Sequence, residues 1–216
     1  MKSAYDTPFW SSNFYDHRAR WNHYFNQIRA VADEIKKNGG NLSAFSVLEV
    51  GPSHGLVTGY LRKFGVTITT LDFKPEYAPD VVGDVRAMPF PDNSFDMSIA
   101  CEVLEHMPFA DSQKAFEELY RVTKHTVLIS VPDARHTLFS LRFKIPLLKE
   151  IKIFLRAPTF KKQIITNPRG HNWEIGKLGY PVSKIRTALI QAGFRIIKNG
   201  APHDTPHNHY FLLEKA

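Results

Sequence analysis

The sequence contains a single cysteine, Cys101, and no long apolar run. A lone cysteine forms no internal disulfide, and no apolar stretch approaches the roughly 18 residues that span a bilayer. The first twenty residues contain no unbroken apolar segment of the kind found in secretory signals. Glycine (12 residues) and proline (14 residues) are close to average usage, which excludes collagen-like and low-complexity architectures. These absences predict a soluble protein of the reducing cytoplasm.

The 216 residues, 43% hydrophobic and 23% charged, suit one globular domain. Short apolar runs alternate with segments of helical periodicity, and this alternation predicts an α/β fold with a Rossmann-like, doubly wound, mainly parallel sheet. Gly65 and Gly193 stand where the ends of helices need a positive φ. Strands are predicted at residues 46–50, 66–71, 95–101, 126–131, 194–197 and 210–213, and helices at 21–37, 54–64, 110–123 and 183–192.

The formal charge of +7 is concentrated in one segment. Residues 135–169 contain nine Lys or Arg against Glu150 alone, a local balance of +8 that leaves −1 for the rest of the chain. The segment is also rich in Leu, Ile and Phe, and its prolines exclude one long helix. It predicts a lid of short helices and loops over residues 134–180. Basic apolar segments bind anionic membranes, so residues 135–169 also predict a peripheral contact with an anionic membrane or with an acidic, apolar acceptor. The alternative is a solvated basic face.

The first predicted strand ends in a glycine-bearing turn, residues 51–55, that leads directly into a helix. Such a turn brings backbone N–H groups and the helix dipole close to a ligand. Asp72 ends the second predicted strand, where a carboxylate accepts hydrogen bonds from both hydroxyls of a ribose. The dinucleotide fingerprint would need glycines at 53 and 56, but the chain has Ser53 and Leu56. The pattern therefore predicts a nucleoside cofactor and disfavours a pyrophosphate site.

Four motifs in order resemble those of the class I S-adenosylmethionine-dependent methyltransferases, in their small-molecule, type 11-like branch. The resemblance covers about residues 45–133, and Ser53 departs from it by replacing the middle glycine of the first loop. A weaker likeness extends to the turn at residues 170–174 and to the closing strand. The motifs are Glu49-Val50-Gly51-Pro52-Ser53-His54-Gly55, the acid Asp72, Gly83-Asp84-Val85, and residues 89–96 leading into Cys101-Glu102-Val103-Leu104-Glu105-His106.

The resemblance implies a seven-stranded sheet with an antiparallel last strand and S-adenosylmethionine as cofactor. It also implies that Asp84 accepts the exocyclic amine of the adenine and that Cys101 and Glu102 flank the methionine part. We expect one domain with an N-terminal helical cap (1–44), a cofactor-binding core (45–133), the basic lid (134–180) and a C-terminal helix and hairpin (181–216). The predicted cofactor-binding residues are Glu49, Gly51, Ser53, Gly55, Asp72, Phe73, Asp84, Val85, Cys101 and Glu102.

The implied reaction is methyl transfer to an O, N, S or C atom of a small-molecule acceptor, lipid-like or linked to a glycan. A hydroxyl acceptor would need a base to remove its proton. His171 is the preferred candidate, with Glu174 orienting its second nitrogen, and His106 is the next. His17 and His23 are weaker candidates. Tyr15, Trp21 and Tyr24 either close over the cofactor or pack the N-terminal helix.

Two other functions remain open. The first is RNA methylation, which the sequence pI of about 9.4 raises as a rival, although nucleic acid is not the expected partner. Base-amino methyltransferases carry an Asn/Asp-Pro-Pro-aromatic turn after the fourth strand, and residues 101–104 here are Cys-Glu-Val-Leu, which argues against that acceptor. A non-catalytic adaptor that binds a membrane or a protein through the basic segment is the other alternative. His203, His207 and His209 are candidate metal ligands. A His-rich loop without cysteine is more often solvated, however, so no metal site is predicted.

Overall fold

The computed structural model describes residues 18–144, 151–164 and 170–215. The predictions for Tyr15 and His17 lie outside the described residues, as do residues 145–150 and 165–169 of the predicted lid. No helix within the described ranges is long and apolar enough to cross a membrane.

Seven strands form one sheet in the order β3-β2-β1-β4-β5-β9-β8. The strands β1 to β5 pair in parallel, and β9 pairs antiparallel with both β5 and β8. The predicted doubly wound sheet with an antiparallel last strand is therefore confirmed. The strands are β1 (Ser46–Val50), β2 (Thr67–Asp72), β3 (Val81–Val82), β4 (Phe95–Cys101), β5 (Thr123–Pro132), β8 (Phe194–Gly200) and β9 (Asn208–Lys215).

Within the described residues, four α-helices cover the two faces of the sheet: α1 (Arg18–Lys37), α2 (Leu56–Lys63), α3 (Phe109–Val122) and α4 (Val182–Gln191). Val31 of α1 and Leu61 of α2 pack with Val47 of β1 on one face. Phe116 of α3 and Leu189 of α4 pack with strand residues on the other face. Because both faces are covered, the central strands are nearly continuous apolar runs, the pattern that predicted them.

Glycine ends two of these helices where the sequence predicted it. Gly65 follows α2 with φ 86°, and Gly193 follows α4 with φ 102°. A side chain at Gly193 would also meet the ring of Tyr120 at 2.8 Å. Both turns therefore need glycine, since other residues rarely adopt this backbone conformation.

The insertion (residues 134–180) is the main difference from the prediction, because its centre is a strand hairpin and not a set of short helices. β6 (His136–Phe143) pairs antiparallel with β7 (Ile151–Ala157). The sequence of β7, IKIFLRA, has Ile151, Ile153 and Leu155 at every second position, which is the two-residue period of a strand. Pro146 and Pro158, which exclude a long helix, fall outside the two strands in the sequence and leave the pairing intact.

Asp133 holds the base of the hairpin. Its fully buried carboxylate accepts hydrogen bonds from Arg135 Nη2 at 2.6 Å and from Arg156 Nη1 at 2.5 Å. His209 Nδ1 lies 3.2 Å from the same oxygen. Burial alone would raise the pKa of Asp133, but the hydrogen bonds from His209 and Arg135 and the charges of both arginines lower this pKa to about 2. The hairpin is therefore fastened to the end of β5 and to β9 by buried charge pairing.

We expect Asp133→Asn to lower the free energy of unfolding by on the order of 3 kcal/mol, because it leaves the nearly buried Arg156 without its counter-charge. Asp92→Asn is the matched control: Asp92 pairs with Arg121 but is 70% exposed, and its loss costs less than about 1 kcal/mol. Urea unfolding measures both. Since the native pKa of Asp133 lies below the ordinary 3.8, its contribution is complete above about pH 4 and is lost as the pH falls toward 2. Equal losses in the two variants would contradict the anchoring role.

Candidate active site

The candidate site lies at the edge where β1, β2, β4 and β5 end. β1 lies between β2 and β4, so the chain crosses to opposite sides of β1 at this point. In doubly wound sheets such a reversal of strand order leaves a crevice outside the carboxyl ends of the strands, where ligands bind. The predicted residues Gly51, Asp72 and Cys101 follow or end the three strands that border this crevice.

The loop after β1 has a backbone that suits glycine. Gly51 has φ 70°, and its N–H donates to the Leu71 carbonyl at 2.8 Å. A Cβ atom at Gly51 would lie 2.5 Å from Cγ2 of Val103. Ser53 also has a positive φ of 52°, and Gly55, at φ 68°, begins α2. A cavity of about 350 Å³ opens beside this loop and beside the turn after β2, which includes Tyr77.

Glu49 lies one residue before the end of β1 and is buried. Its carboxylate accepts a hydrogen bond from the hydroxyl of Thr58 on α2. Burial raises the pKa of Glu49 to about 7, against the hydrogen bond from Thr58 and the charge of Arg62, which lower it. In this structure Glu49 therefore joins the strand to the helix.

Asp72 ends β2 as the sequence predicted. The residue is 6% exposed, and its Oδ1 accepts a hydrogen bond from the Lys74 N–H at 2.9 Å. Burial raises the pKa of Asp72. The next residue, Phe73, is 69% exposed, and the Lys74 ammonium lies 5.3 Å from its ring centroid. The end of β2 therefore places the Asp72 carboxylate beside the exposed aromatic ring of Phe73.

Asp84 and Val85 follow β3. Both carboxylate oxygens of Asp84 accept hydrogen bonds from Arg86, whose Nη1 also reaches Asp111 at 3.1 Å. The Arg86 hydrogen bonds lower the pKa of Asp84. The side chain of Val85 is buried in the core. The resemblance did not predict the pairing with Arg86, and the cofactor contact predicted at Val85 would have to use its backbone.

The end of β4 brings Cys101 and Glu102 beside β5. Glu102 has φ 58°, its N–H donates to the Ser130 carbonyl at 3.0 Å, and its Oε1 accepts from the Ser130 hydroxyl at 2.9 Å. Burial raises the pKa of the Cys101 thiol and that of the Glu102 carboxyl. These side chains are therefore held by hydrogen bonds in a protected part of the edge.

Three potential ligands meet beyond β4, and we call Glu105, His106 and His171 the Glu105 cluster. Glu105 Oε1 lies 3.9 Å from His106 Nε2 and 4.0 Å from His171 Nε2. The two imidazole rings are 5.1 Å apart and nearly perpendicular. His171 Nδ1 contacts Glu174 Oε1 at 2.8 Å, the orienting contact that the sequence predicted. The insertion thus brings His171 and Glu174 to the same edge as His106.

Trp173 fixes this arrangement. Its fully buried indole donates to the Leu104 carbonyl at 3.2 Å, and the Asn172 N–H donates to the Glu105 carbonyl at 2.6 Å.

Sequence reasoning did not select Glu105. The available signal was a second glutamate three residues after Glu102, next to His106 and shortly after a buried strand.

The remaining candidates occupy other places. His23 is buried, its Nδ1 lies 2.5 Å from the Tyr210 hydroxyl, and burial lowers its pKa to about 3, so it is uncharged at neutral pH. Trp21 is 48% exposed, and Tyr24 packs against the core that includes α1. Among the described residues, the Glu105 cluster is the group that could hold a metal ion. His203, His207 and His209 do not form such a group: His203 stacks on Phe154, His207 is exposed, and His209 contacts Asp133.

Comparison with known proteins identifies the core of the chain. Residues 48–131 match the family model described as a methyltransferase domain. This segment contains the loop after β1, Asp72, Asp84 and the end of β4, so the resemblance predicted from those motifs is confirmed. No match was found among the curated proteins.

Solved methyltransferases share the whole fold. The magnesium protoporphyrin IX methyltransferase of Synechocystis PCC 6803, solved with bound SAM, is 15% identical with a TM-score of 0.61, over 95% of this chain and 85% of that one. The 1,6-didemethyltoxoflavin-N1-methyltransferase of Burkholderia thailandensis is 16% identical with a TM-score of 0.58, over 96% and 85%. The glycopeptide N-methyltransferase MtfA is 15% identical with a TM-score of 0.56, over 86% and 88%. At such identities the likeness shows the fold alone.

We expect Gly51→Ala to lower the free energy of unfolding by about 3 kcal/mol, since it combines a left-handed backbone with a clash against Val103. Gly40→Ala is the control, because Gly40 has φ 76° and open space around its Cβ position, so only the backbone cost of about 1 kcal/mol applies. Adding Val103→Ala to Gly51→Ala should recover part of the loss. Thermal and urea unfolding give the comparison, and equal losses at the two glycines would show that the Val103 contact is unimportant.

Proposed function

We propose that this chain, an S-adenosylmethionine-dependent methyltransferase of class I fold, transfers methyl groups to a small-molecule acceptor held between the carboxyl edge of the sheet and the insertion. The observation that carries the proposal is the meeting at one edge of two sets of residues. Gly51 and Asp72 represent the cofactor side, and the Glu105 cluster represents the side that acts on the acceptor.

The residues at the edge fit the cofactor. Asp72 offers a buried carboxylate at the end of β2 for ribose hydroxyls, with the ring of Phe73 uncovered beside it. Gly51 keeps the loop free of a side chain where one would strike Val103. Cys101 and Glu102 lie where the methionine part is expected. When bound, S-adenosylmethionine supplies a methyl group that is already activated on a sulfonium, so the protein must mainly align the reactants and exclude water.

The acceptor side is built by the insertion. Gln163 donates through Nε2 to the His171 carbonyl at 2.8 Å, and Thr159 donates through its N–H to the Gly176 carbonyl at 3.1 Å. These contacts tie the chain that follows the hairpin to the turn carrying His171. We therefore assign His171 and His106 to the acceptor, with Glu174 as the residue that orients His171. The insertion carries His171 and also covers the proposed acceptor site. We therefore infer that the insertion determines which acceptor binds.

The surface of the insertion favours an apolar acceptor over nucleic acid. Arg135 and Arg156 turn inward to Asp133, so two of the nine basic residues of the segment do not contribute to an exposed positive surface. The outer side of the hairpin is apolar instead. This arrangement supports a lipid-like small molecule and argues against a phosphate-tracking RNA groove, which needs a continuous basic surface.

A single assay tests the function. We expect the protein to release S-adenosylhomocysteine when incubated with S-adenosylmethionine and the small-molecule fraction of a cell extract, and not with the RNA fraction. Asp72→Ala should raise the S-adenosylmethionine concentration needed for half-maximal release by about 10- to 100-fold, because a charge-assisted ribose contact is lost. Glu117→Ala, which removes an exposed acid of α3, is the control and should leave this concentration unchanged.

The assay also separates the alternatives. Product release with RNA alone would contradict the small-molecule acceptor. Absence of product with both fractions, from a protein that binds S-adenosylmethionine in calorimetry, would favour a non-catalytic adaptor. An unchanged response in Asp72→Ala would remove Asp72 from the cofactor site.

We also propose that the hairpin contacts an anionic membrane through an outer apolar face. The six residues of this face pair directly with one another across the two strands, so their side chains share one side of the hairpin. The opposite side is occupied: Ser140 Oγ lies 3.0 Å from His203 Nδ1, and Phe154 stacks on the same ring. The outer apolar face consists of Phe139, Leu141, Phe143, Ile151, Ile153 and Leu155, which are 39–56% exposed.

Sedimentation with lipid vesicles tests the contact. We expect the protein to bind vesicles containing anionic lipid at low salt, and to bind neutral vesicles less, because the insertion that carries the apolar face also has exposed basic residues at 142, 144, 161 and 162. The double variant Leu141→Glu/Ile153→Glu should lose the binding. Ile190→Glu, an equally exposed apolar position on α4, should retain it. Failure of the unmodified protein to sediment with anionic vesicles would refute the membrane contact and leave the insertion only as a cover.

A further inference from the structure

Glu105 is a fully buried carboxylate for which the described residues provide no hydrogen-bond partner at either oxygen. It lies on the short turn Leu104–His106 between β4 and α3. Burying an ionised carboxylate without a partner is strongly unfavourable, so such a group usually has an ion or a donor that completes its surroundings. Here Oε1 points between two imidazole nitrogens, at 3.9 Å from His106 Nε2 and 4.0 Å from His171 Nε2.

The spacing of these three atoms suits a shared ion. One ligand atom from each of Glu105, His106 and His171 lies within 4.8 Å of the other two. Ligands about 2.1 Å from a tetrahedral ion would be about 3.4 Å apart, so small side-chain rotations are enough to close the site. His106 is exposed and lies on a short turn, where such a rotation is unhindered by the core.

Glu174 supplies the feature that usually accompanies a histidine ligand. A histidine that binds a metal through one nitrogen commonly donates its other N–H to a carboxylate, which fixes the tautomer and the ring. His171 makes this contact: Nδ1 is 2.8 Å from Glu174 Oε1, while Nε2 faces Glu105. The buried acid, the two imidazoles and the orienting carboxylate are independent features that converge on one point.

We propose that Glu105, His106 and His171 bind one divalent transition-metal ion of the Zn²⁺ class, with Glu174 as the positioning residue of His171. Two imidazoles and one carboxylate favour Zn²⁺ and its neighbours over Mg²⁺ and Ca²⁺, which prefer oxygen ligands. Three protein ligands leave the fourth position of a tetrahedral ion open, as in catalytic zinc sites. No metal was expected from the sequence, because the histidines that drew attention there were those of residues 203–209.

The open position gives the ion a role at the acceptor. An acceptor hydroxyl bound there would lose its proton to water more readily, because the ion stabilises the resulting oxyanion. His106 and His171 would then hold the ion and would not take up the proton themselves. This role rests on the proposed methyl transfer, whereas binding of the ion does not.

Metal titration tests the site directly. Untagged full-length protein is stripped with a chelator and titrated with Zn²⁺ against a chromophoric competitor, and with Co²⁺ while its visible absorption is followed. We expect one ion per chain and the intense visible bands of four-coordinate Co²⁺. Glu105→Gln keeps the size of the side chain and should abolish stoichiometric binding. Glu174→Gln should weaken binding by about 10-fold, the usual effect of losing an orienting partner.

His207→Ala is the matched control, because His207 is exposed and lies outside the cluster, and it should bind Zn²⁺ as tightly as the unmodified protein. If Glu105→Gln does not fold, His106→Ala replaces it, since an exposed side chain is not required for folding. Failure of the unmodified protein to bind one ion, or unchanged binding in Glu105→Gln and His106→Ala, would overturn the proposal.

S-adenosylmethionine binding by the metal-free protein separates this proposal from the proposed function. Loss of metal binding in Glu105→Gln with intact S-adenosylmethionine affinity supports a distinct metal site. No metal binding by the unmodified protein, with intact S-adenosylmethionine binding, overturns the metal site alone. No S-adenosylmethionine binding by a protein that binds one Zn²⁺ overturns the proposed function alone.

Discussion

The arrangement of the site depends on the parallel pairing of β1 with strands on both of its sides. Because β2 and β4 both run parallel to β1, the chain must leave their carboxyl ends in different directions and opens a crevice there. The turn after β1 is forced into a conformation that suits glycine, and Val103 fills the space that a side chain at Gly51 would need. Asp72 and Cys101 are brought to the same edge by the pairing alone.

A second constraint joins two distant segments at this edge. The turn after β4 provides Glu105 and His106, and the insertion provides His171 and Glu174. The buried Trp173 connects them through its hydrogen bond to the Leu104 carbonyl. The fold shared with solved methyltransferases therefore carries the residues proposed for the cofactor side, whereas the residues proposed to act on the acceptor depend on how this chain packs its own insertion. That division explains why fold likeness alone does not define the acceptor.

The sequence alone was sufficient to predict strands and contacts where the local pattern and the tertiary environment agree. β1 and β4 were predicted with their observed bounds, because strands buried on both faces appear as unbroken apolar runs. The secondary structure of the insertion was predicted wrongly. Apolar residues that recur at every second position along a strand were interpreted as part of a lid of short helices and loops. The contact between His171 and Glu174 follows from a three-residue spacing in a turn. Glu105 was missed because its burial and the approach of His171 from the insertion are tertiary features that no local pattern reports.

One edge of the sheet is proposed to hold both the methyl donor and a metal ion for the acceptor. A crystal structure of the protein with S-adenosylhomocysteine and Zn²⁺, recorded at the zinc absorption edge, tests this claim most directly. We expect one anomalous peak within about 2.2 Å of ligand atoms of Glu105, His106 and His171, and we expect the ribose hydroxyls to contact the Asp72 carboxylate. A nucleoside bound away from Asp72, or a zinc peak at other residues with Glu105 still unpartnered, would contradict it.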